Sequence, residues 1–146
     1  MRHRNRWMIV LLIIAALPLA ACARTSAGAP TVKPSTVEEI EGSEFKRVRL
    51  TQKAAERLDV QTAPVREEEV DGAQRLVIPY AAVLYGLQGE TWTYTNPEPL
   101  AYVRYPIDVD HIEGDMAILL EGPPAGTAVV TVGVAELYGA EVGVSK

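Results

Sequence analysis

The sequence predicts an all-β fold, a small β-roll or barrel-like antiparallel domain with one short helix, preceded by a signal peptide and a flexible tether. Three observations predict it. Short alternating or apolar runs recur between Gly and Pro turns from residue 45 onward. Residues 52–58 alone combine a capping residue with a breaker-free run. The first 21 residues are basic, then wholly apolar, then small, unlike anything that follows.

Arg2, Arg4 and Arg6 make the basic start, Trp7 to Leu17 is apolar, and Pro18 ends the run. The closing Leu19-Ala20-Ala21-Cys22 resembles the lipobox of bacterial lipoproteins, whose cysteine sulfur receives a diacylglycerol. That resemblance implies lipid attachment at Cys22, a membrane held through acyl chains, and an extracytoplasmic place in the cell envelope. The expected organisation is a signal peptide over 1–21, a tether over 22–44 and a β domain over 45–146. The tether is rich in Ala, Ser, Thr and Pro and offers no apolar face. Fully extended, it would reach at most about 75 Å.

Removing Arg2, Arg4 and Arg6 from the 14 Lys and Arg leaves 11 basic against 19 acidic residues, a net charge of −8 after the signal. That balance argues against nucleic acid and against electrostatic docking on anionic lipid, both of which call for basic clusters. With Cys22 as the one cysteine, no intrachain disulfide is available, and the fold must be held by its core. After the signal, no apolar stretch approaches the roughly 20 residues of a spanning helix.

Element by element, Phe45 to Leu50 alternates in its second half as a half-buried strand does. Thr51 offers an N-cap hydroxyl to a helix over Gln52 to Leu58, with Ala54, Ala55 and Leu58 toward the core. Val60 to Val65 is extended, and Pro64 suits an edge or a strand end. Asp71-Gly72 marks a turn in the charged connection from Arg66 to Gln74. Two short strands follow, broken at Pro79, and Gly86 to Gly89 leads tightly into residues 90–95. There Trp92 and Tyr94 share one face and three threonines the other. Pro97 and Pro99 turn the chain into its best alternation, with Ala101, Val103, Tyr105, Ile107 and Val109 inward and Tyr102, Arg104, Asp108 and Asp110 outward. Strands over 116–120 and 128–132 complete the set.

Two segments resemble the membrane-proximal domain of periplasmic adaptor proteins of RND-type efflux systems, also called membrane fusion or HlyD-like proteins. The first runs Val48-Arg49-Leu50-Thr51 to Leu58-Asp59-Val60 and on to Pro64-Val65. It looks like the strand, helix and strand that open that domain. The second runs from Val77-Ile78-Pro79 through Trp92-Thr93-Tyr94 and Val103-Arg104 to Gly126-Thr127-Ala128-Val129-Val130, and is similar to the return through it. Only residues 66–76 join the two, too few for the β-barrel, lipoyl-like and hairpin domains of a complete adaptor. The resemblance implies a lipid-anchored adaptor-like domain, accessory to transmembrane efflux or transport, with an inner-membrane transporter as partner. The alternative is a ligand-binding or envelope-structural lipoprotein that shares only the β fold.

No chemistry-bearing motif stands out. Counted as a calcium loop from Asp108, the acidic stretch to Asp115 has Ile112 at a ligand position and Glu113 where the glycine belongs. After the signal, His111 is the lone histidine, with no nucleophile-elbow serine to pair with it. The expectation is therefore no enzyme, no cofactor and no metal. Tyr and Trp are favoured at interfaces, and the expected partner face is Tyr102 beside Arg104, with Tyr105 and Trp92 assigned to the core.

Overall fold

The structure, a computed structural model, describes residues 33–143; the signal peptide, Cys22 and the tether up to residue 32 lie outside the described residues. The chain begins with a hairpin of β1 (Ser35–Glu39) and β2 (Lys46–Leu50). Helix α1 (Gln52–Leu58) and β3 (Gln61–Pro64) follow. Thr51 caps α1 as expected, its Oγ1 accepting from the Ala54 N–H at 3.2 Å. Asp59 ends the helix in the left-handed region at φ 49°.

The charged connection is itself structure. Residues 66–74 form β4 (Arg66–Val70) and the start of β5 (Ala73–Pro79), joined at Asp71-Gly72. Both turn residues have positive φ, 53° and 78°, the geometry that matches a two-residue hairpin to the strand twist. A 3-10 turn at Tyr80–Ala82 and the short β6 (Leu84–Tyr85) lead to β7 (Thr91–Glu98) and β8 (Ala101–Pro106). Then come β9 (Asp108–Glu113), β10 (Met116–Glu121), β11 (Ala128–Val132) and helix α2 (Val134–Val142).

All pairings are antiparallel. One sheet has the order β1-β2-β8-β7-β11-β3, with β6 beside β7; the other has β4-β5-β10-β9. The helices cover one face of the first sheet and the second sheet covers the other. Strand β11 shows this in two adjacent residues: Val130 is buried with Val48, Leu50, Tyr94 and Leu137, while Val129 is buried with Val65, Ile78, Ala117 and Leu119. The β-rich antiparallel class read from the sequence is the class observed.

Four differences have physical reasons. First, the tether expected over 22–44 is a strand at Ser35–Glu39. Its register sets Glu38 opposite Arg47 and Glu39 opposite Lys46, and Glu38 lies 3.7 Å from Arg47 and 3.3 Å from Arg49. The pairing signal is complementarity between strands, invisible along one of them. Second, α2 was not expected. Val134, Leu137, Tyr138 and Glu141 recur at helical spacing, but Gly133, Gly139 and Gly143 weaken that signal, glycine being a poor helix former.

Third, the alternation over 101–109 does not describe one strand. The chain leaves the first sheet after Pro106 and joins the second at Asp108. Thr91 holds the crossing, its carbonyl accepting the Ile107 N–H at 3.0 Å and its hydroxyl donating to the Ile107 carbonyl at 2.7 Å. Tyr105, expected inward, is 39% exposed at this bend. Fourth, Tyr102, expected outward, is 5% exposed, because the sheet is covered on both faces.

Candidate functional site

Arg104 is where the first sheet and α2 meet. It projects from β8 toward the helix, and its Nε lies 2.9 Å and 3.0 Å from the two carboxylate oxygens of Glu141. The guanidinium lies over three aromatic rings, at 4.9 Å from the centroid of Trp92, 5.2 Å from Phe45 and 5.7 Å from Tyr138. Tyr94, wholly buried on β7, donates its hydroxyl to Glu141 Oε2 at 2.5 Å. Burial, then the hydrogen bond and charge of Glu141, push the Tyr94 hydroxyl far above its ordinary value of 10.0.

Chemically this is a closed clamp. The cation has its carboxylate and its aromatic faces, the carboxylate has its donors, and the phenol is held neutral. Arg104 and Tyr102 do share a face of β8, as the alternation implies, but α2 covers that face. The partner surface expected at Tyr102 and Arg104 is therefore corrected: Tyr102 is core, and the Arg104 side chain is 15% exposed and internally engaged. Trp92 is half-buried under the guanidinium, in line with its expected inward position.

The open surface lies beside the clamp. Between α1 and α2 runs a groove of about 400 Å³, lined by Pro34, Leu50, Ala54, Leu58 and Ala140, with Arg57 and Glu136 as its charged lining residues. Gly139 in its wall leaves room where a Cβ would meet nothing within 4 Å. The Thr51 cap fixes where α1 begins. Gly133, at φ 95° with Val60 Cγ2 3.1 Å from the place of a Cβ, lets α2 turn back tightly from β11.

Elsewhere, Asp108 and Asp110 are exposed on β9, as the alternation implied, and His111 Nδ1 lies 3.1 Å from Asp110. Among the described residues, no group of three or more His, Cys, Asp or Glu side chains is placed to hold a metal. Exposed aromatic surface lies at Tyr80 and Tyr85, whose rings meet edge to face at 6.4 Å, and at Tyr105. The alternation along β8 points to Tyr102 instead, because it carries no sign of which face α2 covers. No family model, no curated protein and no solved structure matches this chain.

Proposed function

We propose that the protein is a lipid-anchored extracytoplasmic adaptor-like domain, accessory to transmembrane efflux or transport, with the α1–α2 groove as the surface that meets a membrane transporter. One observation carries the reading. The first of the two segments that resemble the adaptor domain lies in one sheet with the second from Trp92 onward: β2 pairs with β8, and β3 pairs with β11, while the second segment's opening Val77-Ile78-Pro79 lies in β5 of the other sheet. Had residues 45–65 stood apart from the later strands, the resemblance would have had no architectural support. The groove is apolar in its walls and charged at Arg57 and Glu136, a pattern suited to a protein partner with an apolar ridge. Attachment through acyl chains on Cys22 would keep such a domain at the membrane without basic patches.

The test is photo-crosslinking in intact cells from position 136, beside the groove. Capture of an integral membrane transporter is expected; recovery without any integral membrane partner overturns the adaptor reading. Separately, Cys22→Ser should release the protein into the soluble fraction, and unchanged membrane retention overturns the anchor.

A further inference from the structure

A second groove, of about 540 Å³, opens where the chain crosses between the sheets. Leu76, Ile107 and Leu120 give it apolar walls, and Tyr105 adds an aromatic ring that is 39% exposed. The charged side chains lining it are Asp108 and Glu121, and no Lys, Arg or His is among the lining residues. These two carboxylates stand directly opposite each other in the β9–β10 register, where the ladder slips between Leu119 and Glu121. Directly opposed like charges are unfavourable in a sheet. Neither belongs to an ion pair of the described residues, although Arg47, Arg49, Arg66, Arg104 and Lys46 all do.

Thr93 pairs with Tyr105 across β7 and β8, so their side chains share one face of the first sheet, although Thr93 is not among the residues lining the groove. Thr93 is wholly buried, and its hydroxyl is the one buried side-chain oxygen among the described residues without a hydrogen-bond partner. Its neighbours Thr91 and Thr95 donate to the backbone carbonyls of Ile107 and Val103.

We propose that this groove binds an amphiphilic organic cation, its apolar or aromatic body against Leu76, Tyr105 and Leu120 and its positive charge between Asp108 and Glu121. Charge complementarity chooses the occupant. An anion would face two uncompensated carboxylates, and a neutral body would leave their repulsion unrelieved. A cation relieves it and gains the face of Tyr105. This inference does not rest on the transporter reading, since the α1–α2 groove takes no part in it.

The experiment titrates the full chain with tetraphenylphosphonium and with tetraphenylborate, ions of nearly the same shape and opposite charge, by calorimetry against a detergent blank. Saturable one-site binding is expected for the cation, at least about tenfold tighter than for the anion. Combining Asp108→Asn with Glu121→Gln should weaken cation binding by about tenfold. Combining Glu67→Gln with Glu68→Gln on β4, which removes the same charge elsewhere, should leave it unchanged. Equal binding of the two ions, no binding of the cation, or an equal loss in the β4 control overturns the proposal. The comparison of the two ions needs no substitution, so a variant that folds poorly does not blunt the test.

Discussion

The two faces of the first sheet are buried by different means. Against the second sheet the core is apolar: Val65, Ile78, Ile107, Ala117, Leu119 and Val129 pack without a charged member. Under the helices, the apolar cluster around Val48, Tyr102, Val130 and Leu137 adjoins a charged clamp of Arg104, Glu141 and Tyr94. The difference follows from connectivity. The two sheets are tied by the chain itself, which crosses between them at Val65, at Pro79–Val83, at Ile107 and at Gly122–Thr127. Those crossings fix the relative position of the sheets, and non-directional packing then suffices. Helix α2 joins the sheet through Gly133 alone and brings few large apolar residues. A directional contact sets its angle, as buried polar groups do when they select one packing among several.

The largest expected effect breaks the apolar side. Leu119→Ala removes a side chain that is 1% exposed, and should cost about 3 kcal/mol in urea unfolding through the cavity it leaves. Breaking the clamp comes next. Glu141→Ala strands the Tyr94 hydroxyl and the Arg104 charge, and about 2 kcal/mol of stability should go, tempered by the aromatic faces Arg104 keeps. Glu141→Gln keeps an acceptor for Tyr94, so its loss in the same assay should be smaller.

A subtler break separates the phenol from the ion pair. Tyr94→Phe should cost about 1 kcal/mol at neutral pH, since it removes one buried hydrogen bond but leaves Arg104 and Glu141 together. Its pH signature sharpens the comparison. The folded state holds the Tyr94 proton more tightly than the unfolded chain, whose tyrosine ionises near 10.0. The associated stability is therefore fully present below pH 10 and is lost as pH rises beyond it. Burial pushes Tyr102 in the same direction. Unfolding followed from pH 8 to 11 should show a decline that is shallower in Tyr94→Phe; an unchanged slope would remove Tyr94 from its cause. The smallest effect is a gain. Gly139→Ala should stabilise α2 by about 0.5–1 kcal/mol, because the new methyl meets nothing and helical Gly carries excess backbone entropy. A higher midpoint in thermal unfolding is the readout.

Much of the β architecture was legible because its signals are local. Asp71-Gly72 needs only its own φ preferences to make a hairpin, Thr51 its own hydroxyl to cap α1, and Thr91, Thr93 and Thr95 their own alternation to share a face. The clamp was half legible. Arg104 stands out on its strand and Trp92 and Tyr94 on one face of theirs, but Glu141, the residue that completes the site, stands in a glycine-flanked stretch with a weak helix signal. Strand β1 was lost because its acidic run finds meaning only opposite Lys46, Arg47 and Arg49.

By itself the sequence determined the antiparallel class, the place of α1, the main turns, and which side chains alternate together along each strand, since all of these depend on contacts a few residues apart. Which face of a strand meets water was decided only by the tertiary structure. The period of two assigns residues to faces but is blind to what arrives to cover them, and here both faces of one sheet were covered, one by α2 and the other by four strands reached across Val65 and Ile107.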